Sequence, residues 1–193
     1  MPLDFTLINE SIVYSTNRLL NKTTTVSPGL FLLESFLHPI LLSKLNDYII
    51  NTDLAWQIEP YQATKNRLKI NWVADTVIEE VHIVMKNLTA ELNRQFNRSN
   101  KFLGITIWKD QEGYTIERHK DRALIDLAIQ IYLFGGTEDL GTKFEYNNTI
   151  ISADYKENSG YLQDNQLGIM HYLDTPVPKD HNRYSLYAIW TKD

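Results

Sequence analysis

The chain has 193 residues, 43% hydrophobic and 22% charged, with a formal net charge of −5 and no cysteine. That size and apolar fraction suit one domain spanning residues 1–193, and the missing cysteines exclude disulfides, thiolate metal sites, iron–sulfur clusters and cysteine nucleophiles while fitting a reducing compartment. The acidic balance speaks against a general nucleic-acid binder, which carries a basic excess or stripe.

Met1 to Glu10 holds neither a basic segment nor a sustained apolar one, so it does not read as a signal peptide. Nowhere does the chain reach the ~18–20 consecutive apolar residues that span a bilayer. A cytoplasmic location and no membrane partner are the expectation. Phe5 to Ile8 and Ser11 to Tyr14 are short apolar runs that read as an arm or outer strands, followed by a polar loop from Asn21 to Ser27. A short strand or turn around Phe31 to Leu37 leads to His38-Pro39, where proline suits a first helical turn. Leu41, Leu42, Leu45, Tyr48 and Ile49 then follow at helical spacing and predict a helix over 39–51, with His38 as its entry residue and not a ligand.

Leu54 to Glu59 and Arg67 to Trp72 have strand-like composition. Thr76 and Glu79 have the spacing of a capping box. Val77, Val81, Val84, Leu88, Leu92 and Phe96 continue at helical spacing and predict one long amphipathic helix over 76–97. His82 inside it has no neighbour that resembles a metal partner. The densest basic run, Arg94 to Lys101, holds only Arg94, Arg98 and Lys101 and follows this helix, at whose end cations complement the dipole.

From residue 103 the texture becomes extended. Leu103 to Lys109, Tyr114 to Asp121, Leu124 to Phe134, Thr142 to Tyr146, Gly160 to Gln163, Leu167 to Tyr172 and Arg183 to Trp190 read as strands. Glu112-Gly113, Gly135-Gly136 and Asn147-Asn148 supply turns between them. The expectation is an α+β fold, with a helix-rich supporting part over 1–102 and an antiparallel sandwich or barrel over 103–193.

His119 and Asp121 lie two apart, so on an extended strand they point to the same face. His171, in Gly-Ile-Met-His-Tyr, would add a second imidazole from another strand. Two imidazoles and one carboxylate leave three adjacent positions open on a metal, the donor set of non-haem Fe(II) oxygenases. His-Xaa-Asp alone has low specificity, because a surface salt-bridging pair spells the same letters. Arg183 and Ser185 add weight, since they share a strand face by the same rule. An inward arginine in Arg-Tyr-Ser-Leu-Tyr-Ala-Ile-Trp is costly to bury without an anion. His181, in the polar turn Lys179 to Asn182, is the rival third donor, although strand placement favours His171. Trp108, Tyr114, Gln130 and Thr142 are either pocket walls or ordinary sheet residues.

Residues from about 103 to 190 resemble the double-stranded β-helix, a jelly-roll and cupin-like core, of Fe(II)/2-oxoglutarate-dependent dioxygenases, particularly the prolyl 4-hydroxylase-like branch. The resemblance implies that His119, Asp121 and His171 hold iron. It implies that Arg183, with Ser185, binds the C5 carboxylate of 2-oxoglutarate. Tyr132, in Ile-Tyr-Leu-Phe-Gly-Gly, matches the tyrosine that often shares that carboxylate. The gap between His171 and Arg183 exceeds the family's usual spacing, the excess lying in Asp174 to Asn182. The implied activity is hydroxylation of an organic substrate, peptidyl or free proline first. It uses Fe(II), 2-oxoglutarate and O2, with ascorbate as an accessory reductant, and releases succinate and CO2. The implied partner is a peptide or small molecule, not nucleic acid. The alternative is a non-redox, cupin-like metal- or ligand-binding module, which leaves Arg183 and Ser185 unexplained.

Overall fold

The computed structural model describes residues 2–21, 24–59, 66–136 and 138–192. Its first element corrects the expectation of an extended arm, because α1 (Phe5–Asn21) is helical. The helix is entered at Asp4, whose Oδ1 accepts from the Leu7 amide at 3.0 Å. The buried residues Leu7, Ile8, Ser11, Ser15 and Leu19 form one helical stripe. Two serines in that stripe interrupt the apolar period, so the flanking runs look strand-like. Ser15 is tolerated inside because its hydroxyl donates to the Phe36 carbonyl at 3.0 Å. Of the polar run 21–27, residues 22 and 23 lie outside the described residues. Asn21 ends α1, and the rest is strand β1 (Thr24–Ser27), paired with β2 (Leu30–Leu33).

Helix α2 (Pro39–Asn51) has the expected range, and His38 caps it, its Nδ1 accepting from the Ile40 amide at 3.3 Å. After it, β3 (Gln57–Ile58) pairs with β4 (Arg67–Ile70). The expected long helix is two helices, α3 (Val77–Asn87) and α4 (Thr89–Phe96). Thr76 caps the first through Ile78, while Glu79 reaches the Asp75 amide, one residue earlier than a capping box requires. The break has a tertiary cause. Trp190 is fully buried and its indole N–H needs an acceptor, which the Thr89 hydroxyl supplies at 2.9 Å while donating to the Lys86 carbonyl. Arg94 and Arg98 do not form a basic stripe. Arg94 pairs with Glu91, and Arg98 pairs with Asp126 and Asp164.

Eight further strands follow: β5 (Asn100–Asp110), β6 (Ile116–His119), β7 (Ile125–Tyr132), β8 (Thr142–Tyr146), β9 (Thr149–Ala153), β10 (Gly160–Asp164), β11 (Met170–Leu173) and β12 (Arg183–Lys192). They complete a large antiparallel sheet, in the order β1-β2-β10-β7-β12-β5-β4-β3, and a small one, β6-β11-β8-β9. Strand β9 falls where a loop is expected. The turn before it is legible, since Asn147 and Asn148 take φ of 48° and 61° as a two-residue hairpin demands. The strand itself is not, because only Ala153 of its five residues is buried. Leu167 belongs to a short 3-10 turn, so β11 begins three residues later than expected.

One apolar core, including Leu45, Val81, Met85, Ile129 and Trp190, lies between the helices and the large sheet. A second, including Tyr132, Phe144, Tyr161 and Leu173, lies between the two sheets. Among the described residues no helix is long and apolar enough to cross a membrane. Gly160 must be glycine, because a Cβ there would collide with the Gln130 carbonyl of the neighbouring strand.

Asn158 ties the two cores together. Its side chain accepts from the Leu37 amide at 2.7 Å and donates to the Leu37 carbonyl at 2.8 Å, while its backbone holds φ at +58°. Asn158→Gly keeps that backbone conformation accessible but strands both buried groups, so stability should fall by roughly 2 kcal/mol or more in urea unfolding.

Candidate metal centre and adjoining pocket

Strands β6 and β11 pair with His119 directly opposite His171, and the two rings stand 4.3 Å apart between centroids. Asp121 follows two residues beyond, past the end of β6, and its Oδ1 lies 3.6 Å from His171 Nε2. One donor atom from each of the three side chains lies within 4.8 Å of the other two. Donor atoms grouped this closely could serve a single ion. Among the described residues this is the only such group of three or more.

The surroundings prepare these side chains for a cation. Burial, opposed by Asp121 and reinforced by His119, lowers the His171 pKa to about 4, so its imidazole is neutral at neutral pH. His119 Nδ1 sits 2.8 Å from the Glu117 carbonyl, which sets the proton on Nδ1 and leaves Nε2 to coordinate. Asp121 Oδ2 accepts from Tyr187 Oη at 3.0 Å and from Asn165 Nδ2 at 3.2 Å. The carboxylate is thus held by one oxygen with the other turned toward His171.

A cavity of about 470 Å³ opens beside the three residues. Its facing wall is the inner face of the large sheet, and strand register arranges that wall in rows. Thr106, Tyr187, Gln130 and Tyr161 stand side by side across β5, β12, β7 and β10. Another row is Arg67, Asp110 and Arg183 across β4, β5 and β12. Arg183 is 2% exposed. It donates from Nε to the Leu140 carbonyl at 2.8 Å, from Nη1 to Asp110 Oδ2 at 2.6 Å and from Nη2 to Thr142 Oγ1 at 3.2 Å. Arg67 donates to both oxygens of the same Asp110. Burial pulls the Arg183 pKa down, but Tyr132 and Asp110 outweigh it and the guanidinium stays charged. Two guanidiniums therefore share one buried carboxylate, and one positive charge is left over.

The sequence-predicted residues divide by position. His119, Asp121, His171 and Arg183 all line the cavity, as do Trp108, Gln130 and Thr142. Ser185 is fully buried behind that surface, its Oγ accepting from Gln130 Nε2 at 2.9 Å. Tyr132 is also behind it. Its hydroxyl accepts from the Thr142 amide at 2.8 Å and lies 2.9 Å from Thr142 Oγ1, and its ring packs 5.0 Å from the Arg183 guanidinium. Thr142 is thus the surface that Tyr132 positions. Tyr114 is buried beneath Arg67, and its hydroxyl has no hydrogen-bond partner among the described residues. His181 is exposed on its turn, with Nδ1 at the Lys179 carbonyl, and takes no part in the cluster. His82 packs on Phe102, and burial followed by Lys86 lowers its pKa.

Sequence reasoning misses Arg67, Asp110, Tyr187 and Asn165. Tyr187 could have been found by continuing the alternation of Arg183 and Ser185 by one step. Asp110 could have been found by continuing Trp108 likewise. Arg67 has no such signal, because only strand register places it beside Asp110.

No protein-family model matches the sequence, and no curated protein does either. Solved structures match closely in shape. A prolyl-4-hydroxylase from Pseudomonas putida aligns over 94% of this chain and 99% of its own, with a TM-score of 0.70 and 14% identity. An oxidoreductase of the 2OG-Fe(II) oxygenase family from Burkholderia pseudomallei covers 94% and 90%, with a TM-score of 0.64 and 11% identity. The viral collagen prolyl hydroxylase of Paramecium Bursaria Chlorella virus-1, solved with 2-oxoglutarate, covers 88% and 99%, with a TM-score of 0.60 and 13% identity. The chain therefore has the fold of the 2-oxoglutarate–Fe(II) oxygenases. Within that class, two of these three structures are prolyl hydroxylases.

Tyr187→Phe removes one of the two donors to Asp121 Oδ2 and should weaken Co(II) binding by about tenfold in calorimetry. His171→Ala should abolish that binding, and His181→Ala should leave it unchanged.

Proposed function

We propose that this chain is an Fe(II)- and 2-oxoglutarate-dependent hydroxylase, a single domain built on a double-stranded β-helix. The observation that carries the reading is one cavity with two unlike ends. At one end stand two imidazoles and a carboxylate, and at the other a buried arginine pair with a positive charge to spare. A 2-oxo dicarboxylic acid suits both at once, offering a chelating group to the metal and a carboxylate to the guanidinium.

In this reading His119, Asp121 and His171 hold the iron, and Arg183 with Thr142 holds the distal carboxylate. Tyr132 acts from behind by fixing Thr142, and Ser185 by fixing Gln130. Bound Fe(II) and 2-oxoglutarate would supply the O2 chemistry, oxidative decarboxylation to succinate and CO2 coupled to substrate hydroxylation. The protein's residues orient both groups and keep bulk water from the reacting face. Tyr187 and Asn165 fix which Asp121 oxygen faces the metal. Ascorbate would restore iron oxidised in unproductive turnovers.

Peptidyl or free proline is the first substrate to test, because prolyl hydroxylases stand among the structural neighbours. A peptide or small molecule suits the open mouth of the cavity better than nucleic acid does, given the net charge of −5. The non-redox module predicts metal binding without cosubstrate and gives the surplus charge beside Arg183 no partner.

Anaerobic addition of Fe(II) and 2-oxoglutarate should produce a visible charge-transfer band, retained in His181→Ala and lost in His171→Ala. Admitting air should then release succinate. Folded, metal-binding protein that gives neither band nor succinate would favour the binding module instead.

A further inference from the structure

We infer that Arg67 is a positioning residue for the cosubstrate: by neutralising Asp110 it leaves Arg183 with an unmatched positive charge for the distal carboxylate of 2-oxoglutarate. The inference rests on the reading proposed above and concerns how that reading's anchor is made to work.

Asp110 is the difficulty that Arg67 resolves. It is fully buried, it faces Arg183 across the β5–β12 ladder, and Arg183 Nη1 lies 2.6 Å from its Oδ2. With Asp110 alone, Arg183 would belong to a neutral buried pair. An incoming carboxylate would then meet a carboxylate already in place, at low dielectric where repulsion is weakly screened. Arg67 faces Asp110 from the other side, on β4, and donates from Nε to Oδ1 and from Nη2 to Oδ2, the latter at 2.9 Å. A bidentate pair of this kind is the strongest that a carboxylate makes with a side chain.

The charges can be counted. Arg67 (+1), Asp110 (−1) and Arg183 (+1) sum to +1, and one distal carboxylate brings the cluster to zero. Without Arg67 the cluster stands at zero before the ligand arrives and at −1 afterwards. Among the described residues no other carboxylate bonds to either guanidinium. The nearby cation on the same strand, Lys69, is matched by Glu59 at 2.9 Å. Arg67 is also held in place, with its guanidinium carbon 4.7 Å from the Trp108 ring and 4.3 Å from the Tyr114 ring. Burial pulls its own pKa down, but Asp110 and Tyr114 together raise it on balance, so it remains charged.

The test compares two acids on Mn(II)-loaded protein by calorimetry: 2-oxoglutarate, and 2-oxopentanoate, which has a methyl group in place of the distal carboxylate. Arg67→Met keeps an apolar stem against Trp108 and Tyr114 but removes the charge. It should lower 2-oxoglutarate affinity by about ten- to a hundredfold and leave 2-oxopentanoate unchanged. Arg67→Met combined with Asp110→Asn returns the cluster to +1 and should restore most of the loss. Should Arg67→Met fail to fold, the comparison runs between Arg67→Lys, which should keep the preference, and Arg67→Gln, which should lose it. An undiminished preference in the uncharged variant overturns the inference, and so does a loss that Asp110→Asn does not repair. Wild-type protein that binds both acids equally, or an Arg183→Met variant that keeps the preference, overturns the cosubstrate reading itself.

Discussion

Burying a guanidinium costs several kcal/mol unless its charge and its N–H groups are matched, and Arg183 is 2% exposed. Much of the architecture around the cavity can be understood as that matching. Leu140 and Thr142 accept from it, Asp110 bonds it, and the rings of Tyr132 and Tyr155 pack against it. These partners come from the strand before β6, from the segment leading into β8, from β7 and from the loop beyond β9. A change at Arg183 would therefore be felt by both sheets, and the residue is a structural keystone as well as the proposed anchor.

Strand β12 gives that arrangement its order. It lies between β5 and β7, so Ser185 and Tyr187 each have a neighbour on both sides, while Arg183 is paired with Asp110 on β5. Arg183 stands at the buried charge cluster, Ser185 supports Gln130, and Tyr187 reaches the Asp121 carboxylate. A slip of one residue would turn all three away from the cavity. The candidate metal centre and the proposed carboxylate anchor are thus held at a fixed separation by a single ladder, and rigid elements of this kind hold reacting groups better than loops do.

How much of this was legible in the sequence follows from where each signal resides. The period of two along a strand is local, so His119 with Asp121 and Arg183 with Ser185 can be read directly. His171 could be joined to them by its place in an apolar strand and by the family resemblance, but nothing local says that β11 lies beside β6. Arg67 and Asp110 needed the register of three strands from distant parts of the chain. Helix α1 was hidden by serines on its buried face, and the break at Leu88 by the demand of an indole a hundred residues later. Strand β9 was hidden by its exposure, since a strand that buries one residue leaves almost no hydrophobic pattern. In each case tertiary context decided what local sequence could not express.

The small sheet has an asymmetry of its own. His171 lies on an inner strand, whereas His119 ends β6, a four-residue edge strand with a register shift, and Asp121 lies beyond it. Edges this short, paired on one side, are where a sheet opens first. An ion bound by all three side chains would clasp the end of that edge to its neighbour, adding a cross-link where backbone hydrogen bonding is thinnest. Metal loading and local order in β6 would then be two views of one equilibrium, each favouring the other.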